Sequence, residues 1–437
     1  MMKILYLIEL TLLTHHLCGK KTLAFPPDIF ESRDSYTFDE CDTKLDFSDT
    51  GMKKISLNFI SSGLCLKSLS LQNNSIEKIE KGTFDNLTDL EYLDLSYNSL
   101  SLETLSSFGS KTSLKTLIFD GNHKNGESSF VDTEVTFPEL THLSLGNMDM
   151  DSVTINLSRY FPKLSDLDIS NNPLTTVDDF LKNLPSSVKS LTMVSMKFNK
   201  LKIQNLKEVT SLKLDWNQFY SIRKGSSCDE ESLCLENLNE LQSLSVRHCD
   251  VKQIEPDAFK DLTKLEHLDI DYNGIHRISD ETFKYSPLLS SLDISGNPLL
   301  NVYFIQNLKN LERLVMNYMI YGIKILWSIT SMPKIQYLSL KGNKISSIPM
   351  EFLTTLEDLR EINLSKNQIS SLSPGSWQKK LKSIILYRNN ISNVEDLHLG
   401  DAKSLQLLDI RENGLFRIDT KFTNDLPKSL DLKFDTY

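Results

Sequence analysis

The stretch Leu90–Leu100, LEYLDLSYNSL, has leucines at its first, fourth, sixth and eleventh places and one asparagine, Asn98, at its ninth. Apolar fourth and sixth residues alternate with polar ones at three, five and seven, the period of a short strand with one buried face. An amide among core leucines is costly unless its hydrogen bonds are met. Asn98 is therefore expected where the strand turns away, bonding backbone groups of neighbouring turns of chain that would otherwise be buried unpaired.

The pattern L-x-x-L-x-L-x-x-N-x-L returns fifteen times, starting at Leu66, Leu90, Leu114, Leu140, Leu164, Val188, Val209, Leu241, Leu265, Leu289, Leu311, Ile335, Leu359, Leu381 and Leu405. Partial copies begin at Asp42 and Pro427. Most steps are 24 residues, inside the leucine-rich repeat range and far from tetratricopeptide, ankyrin or propeller periods. Eleven copies keep the asparagine; the others carry Met148, Met196, Cys249 and Met319. Late in the repeats Phe84, Phe108, Phe259, Phe283, Phe352 and Trp377 recur and predict a stacked aromatic spine behind the strands.

On these motifs the chain resembles the "typical" class of extracellular leucine-rich repeats found in Toll-type ectodomains, over residues 42–437. The resemblance implies an α/β repeat fold, a leucine-rich repeat solenoid or horseshoe. Parallel strands would line its concave face, with irregular or short helical segments on the convex side. A looser resemblance, resting on architecture, is to insect secreted leucine-rich immune proteins that pair with complement-like factors.

Residues 1–19 read as a secretory signal: Lys3, a short apolar stretch from Ile4 to Leu13, then Cys18 and Gly19. The stretch is too short to span a bilayer. Residues 20–65 then form an N-terminal cap with the first partial repeat, and 66–437 the array. The extracellular setting implies disulfides. Cys41 and Cys65 each precede the first position of their repeat, which stacks them side by side and predicts a bond. Cys228 and Cys234 flank five residues of an insertion at about 224–237, within the one 32-residue step, and are expected to close a loop beside the binding face. Their spacing is too wide for a usual zinc site with His248 and Cys249, and Cys249 reads as a buried free thiol. No cysteine follows Cys249, so no cysteine-rich C-terminal cap is expected, and the segment from Lys421 to Tyr437 reads as an imperfect cap or as an edge that packs on another chain. Sequons at Asn73, Asn86, Asn156, Asn363 and Asn390 predict glycans, and Asn363 would carry one on the strand face.

The formal charge of -10 argues against a nucleic-acid-coating or anionic-membrane surface. No nucleophile, metal, phosphate or dinucleotide motif is present, and the recurrent aspartates Asp94, Asp168, Asp269, Asp293 and Asp409 share one register of a solvated strand face. Neither an enzyme nor a cofactor is expected. Function then falls to positions that stacking leaves free. From Val209 onward these hold Trp216, Arg247, His248, His267, Asp269, Asp271, Tyr272, Arg313, Tyr318 and Tyr337, with Lys213, Asp215, Asp293 and Asn317 among them. Aromatic and arginine side chains are the usual anchors of protein interfaces. Tyr387, Arg388 and Arg411 form a smaller second candidate. The reading is a secreted protein-recognition scaffold for a protein partner, with an immune setting and a homo- or heterodimer both compatible with it. The alternative is an adhesive matrix module acting through lateral or edge-to-edge pairing.

Overall fold

The computed structural model describes residues 23–24, 43–55, 65–109, 111–122, 135–152, 156–175, 177–204, 206–321, 332, 334–415 and 420–435. The expected signal segment, Cys18 and Cys41 lie outside them. The chain divides into two units, Met1–Met196 and Lys197–Tyr437.

In the first unit the strands Leu23–Ala24, Lys44–Asp46, Ser68–Ser70, Tyr92–Asp94, Thr116–Ile118, His142–Ser144, Asp166–Asp168 and Ser190–Thr192 pair in parallel, each with the next. The second unit repeats this with Ser211–Lys213, Ser243–Ser245, His267–Asp269, Ser291–Asp293, Arg313–Val315, Tyr337–Ser339, Glu361–Asn363, Ser383–Ile385, Leu407–Asp409 and Asp431–Lys433. Apart from Leu23–Ala24, which precedes the first partial copy, and Asp431–Lys433, each strand occupies positions three to five of its repeat, so fourth-position residues such as Leu69, Leu93 and Leu117 stack in register and are buried. The last partial copy lies two places later than a start at Pro427 implies, because Leu432 stacks on Leu408. The fold is a leucine-rich repeat solenoid.

Asn98 is a rung, as its sequence context requires. Its Nδ2 donates to the carbonyls of Leu71 (2.9 Å) and Leu95 (3.0 Å), and its Oδ1 accepts from the Ile76 amide at 3.0 Å. Asn273 does the same in the second unit, accepting from Cys249 and Val251 and donating to Val246 and Ile270. Where cysteine replaces the asparagine, Cys249 Sγ donates to the carbonyl of Leu214 at 3.1 Å and accepts from the Asn217 amide at 3.4 Å. The thiol thus copies both halves of the amide, and burial pushes its pKa up to about 12. Met148 supplies only the acceptor half, taking the Asn122 amide on its Sδ at 3.4 Å.

Behind the strands the phenylalanines pack as a spine. Phe84 meets Phe108 edge to face at 5.1 Å, and Phe283 contacts both Phe259 (5.8 Å) and Phe304 (5.6 Å). Each fully buried ring or leucine contributes about 1.5–3 kcal/mol relative to exposure, the term on which an array of short strands depends.

The insertion differs from the expected loop. Ser232–Glu236 is a strand, and it lies between Leu201–Gln204 and Ser221–Lys224 in a second parallel sheet that ends on Gln253–Ile254. Ser232, Leu233, Cys234 and Leu235 are all buried, which no surface loop would allow. The insertion therefore places an additional strand between the flank strands of two successive repeats. Arg223 holds the connecting turn through Asp229 at 3.2 Å, and Lys202 meets Glu236 at 3.3 Å.

Candidate partner-binding face

After each strand the chain must turn sharply, and the eighth residue takes a left-handed conformation: φ is 60° at Trp216, 52° at His248, 50° at Tyr272 and 51° at Tyr318. Asparagine and glycine enter this region most easily. Here tryptophan, histidine and tyrosine occupy it, and the turn projects their rings in a row. The Trp216 and His248 rings stack at 4.1 Å with planes 3° apart, and His248 and Tyr272 stack at 4.8 Å and 5°. Tyr272 then lies over Gly296, and Tyr318 over Gly342. Trp216 remains 57% exposed and Tyr272 40% exposed, so the row presents apolar area to solvent although its members are mutually ordered.

Charges line the adjoining strand face. Arg247 pairs in bidentate fashion with Asp271, Nε to Oδ1 at 2.6 Å and Nη2 to Oδ2 at 3.0 Å. Asp271 is only 3% exposed, so this pair holds the face together and leaves the aspartate little to offer a partner. Asp215 accepts from the Ser245 hydroxyl at 2.6 Å and the Arg247 amide at 3.0 Å. The Arg313 guanidinium covers the Tyr337 ring at 3.8 Å. His267 is exposed at a third position. Burial raises the carboxyl of Asp269 above the usual range and that of Asp293 to about 6, with neighbouring aspartates adding to both.

The structure thus brings Trp216, His248 and Tyr272 into one stack and Arg247 and Asp271 into one ion pair. Tyr318 and Tyr337 follow on later repeats, Tyr337 with Arg313 above it. Exposed Ile320 and Tyr321 were not anticipated: Tyr321 holds an eleventh position, normally a core leucine, and that departure was the available signal. The second candidate is turned inward on itself. Arg411 is bidentate to Asp409 at 2.9 and 2.6 Å, and the Tyr387 hydroxyl donates to Glu412 at 2.6 Å.

Cys228 and Cys234 form a disulfide, while Cys65 is exposed and its expected partner Cys41 lies outside the described residues. Among the sequons, Asn73, Asn86, Asn156 and Asn390 are exposed. The Asn73 amide is held by Asp49 and Asn156 caps a helical turn through Arg159. Asn363 sits half-buried on the strand face and accepts from Ser365. Among the described residues no group of three metal-ligating side chains occurs, and no helix is long and apolar enough to cross a membrane.

Residues 65–123, 239–299 and 333–379 match the leucine rich repeat family. Tsukushi of Gallus gallus is 27% identical over 325 residues, 74% of this chain and 67% of that protein. Lumican of the same species is 29% identical over 171 residues, 37% of this chain and 46% of its own length. The chain thus spans about two thirds of one relative and under half of the other. Among solved structures, the TLR13–ssRNA13 complex superposes with a TM-score of 0.62 at 20% identity, covering 90% of this chain and 63% of that one, a likeness of fold.

Proposed function

We propose that this leucine-rich repeat chain is an extracellular, non-catalytic recognition scaffold that grips a protein partner through the strand face of its second unit. The observation that carries the reading is the Trp216–His248–Tyr272 stack. It is built from residues that the core does not need, it sits at strained left-handed positions, and it is ordered before any partner arrives. Rigid aromatic anchors lose little entropy on binding, which is why a few of them dominate interfaces. The interspersed carboxylates disfavour a phosphate backbone as the occupant. Disulfide-bonded Cys228 and Cys234, together with the exposed sequons, support an extracellular setting. An immune role rests on the Toll-type resemblance alone.

The test is to identify partners of the full chain from its native fluid by crosslinking and mass spectrometry, then to compare affinities. Trp216→Ala with Tyr272→Ala should weaken binding at least ~100-fold, since two hot-spot aromatics each supply on the order of 2 kcal/mol. Arg247 stays in place, because its removal would strand the buried Asp271 charge. Unchanged affinity would discard this face.

A further inference from the structure

At the fifth position of the repeats an aspartate recurs, and its partner is nearly always the residue two places on. Asp46 accepts from Ser48, Asp94 from Ser96, Asp168 from Ser170, Asp293 from Ser295 and Asp409 from Arg411. Asp269 breaks the rule: its sequence is Asp-Ile-Asp, and its carboxylate accepts no hydrogen bond among the described residues. Both nearby arginines are committed elsewhere, Arg247 to Asp271 and Arg313 to the Tyr337 ring. Asp269 pairs in register with Ser245 on one side and Asp293 on the other, so its strand neighbours bring a hydroxyl and a second carboxylate but no cation. It also lies three residues before Tyr272, the end of the exposed aromatic stack.

We propose, building on the recognition role above, that Asp269 is the acceptor for a lysine or arginine of the partner protein, whose adjoining apolar surface packs on Trp216, His248 and Tyr272. Charge complementarity selects this occupant. An incoming cation would meet an unpartnered carboxylate with Asp293 beside it in register, whereas an acidic segment would meet two like charges, Asp271 being neutralised by Arg247. Burial and the neighbouring Asp271 and Asp215 already hold the Asp269 carboxyl above the ordinary range, and a bound cation would reverse that. The aromatic row supplies the apolar and cation–π contacts that a basic side chain and its flanking residues favour.

The experiment has two arms. In the first, the full chain with carbon-labelled aspartates is titrated by NMR with N-acetyl-argininamide, and with N-acetyl-glutamic acid amide at matched ionic strength. The basic probe should shift the Asp269 carboxyl signal saturably and the acidic one should not. Asp269→Asn should abolish the saturable shift of the Tyr272 ring signals while leaving the ring stack in place. No saturable shift, or equal shifts with both probes, overturns the proposal. In the second arm, the partner obtained by crosslinking is measured against Asp269→Asn, with at least a tenfold loss expected. Affinity that depends on Trp216 and Tyr272 but not on Asp269 overturns this inference and leaves the recognition role standing; dependence on neither removes both.

Discussion

Tyr272 lies flat over Gly296, so closely that a Cβ on Gly296 would stand 2.6 Å from the Tyr272 Cδ1. The same glycine has φ of 67°. Its missing side chain thus serves two ends, a left-handed turn and a seat for the preceding ring. Tyr318 over Gly342 repeats the arrangement, with φ of 71° and a Cβ distance of 2.3 Å to Cε1.

Gly296→Ala should therefore do more than strain one turn. The left-handed conformation alone costs on the order of 1 kcal/mol for alanine. Displacing Tyr272 also opens the stack on His248. Lower thermal stability together with weakened partner binding is expected, and a crystal structure of the variant should show the Tyr272 ring moved. A variant with the ring in place would show that the glycine serves the turn only.

Asn273→Leu tests the rung. The substitution strips acceptors from the Cys249 and Val251 amides and donors from the Val246 and Ile270 carbonyls, all inside the core. Stranded buried groups cost about 1–3 kcal/mol apiece, so a loss of at least ~3 kcal/mol is expected in urea unfolding. Amide exchange should rise first at Cys249 and Val251. A loss under about 1 kcal/mol would mean that water enters and replaces the amide.

The repeat and the strand register were legible because the same burial requirement is enforced fifteen times at positions one, four and six, and the asparagine rung because eleven of the fifteen copies keep it at position nine. The Arg247–Asp271 pair was equally readable in principle: both residues hold seventh positions of adjacent repeats, 24 residues apart, and stacking must bring them together. The Arg247 guanidinium is thus engaged by that neighbour as well as exposed on the face. The strand at Ser232–Glu236 was harder to see, because it occurs once and its partners, Leu201–Gln204 and Ser221–Lys224, are set by tertiary packing and not by the period. The period brings Trp216, His248 and Tyr272, all at eighth positions of successive repeats, side by side; it does not show that their rings stack face to face, since ring planes depend on the left-handed turns beneath them.

Reducing the Cys228–Cys234 bond should loosen the flank sheet and spare the strand face. The bond closes a loop with only five residues between its cysteines, worth about 2 kcal/mol in the chain-entropy account. Buried Cys234 sits in the interposed strand, paired in register with Lys202 and Arg223. Cys228→Ser with Cys234→Ser should raise amide exchange across Leu201–Gln204 and Ser221–Lys224 while the Trp216 environment, followed by fluorescence, stays as it was. Faster exchange throughout His267–Asp269 and Ser291–Asp293 would instead make the bond a support of the whole unit.

Asp293 gives a prediction with a definite sign in pH. Burial, aided by Asp271 and Asp269, raises its folded pKa from the ordinary carboxylate value of 3.8 to about 6, despite the hydrogen bonds from Ser295. The folded state therefore holds this proton more tightly than the unfolded chain. The resulting stabilisation, up to ~2–3 kcal/mol relative to the ionised form, is fully present below pH 3.8 and is lost as pH rises through about 6. Asp293→Asn keeps an oxygen for the Ser295 amide and removes the charge. It should raise stability by roughly 1–2 kcal/mol at about pH 7.5 and change it little near pH 4, measured by denaturant unfolding at both values. If the variant were less stable at the higher pH, the hydrogen bonds from Ser295 would outweigh burial and the neighbouring aspartates in setting the Asp293 carboxylate.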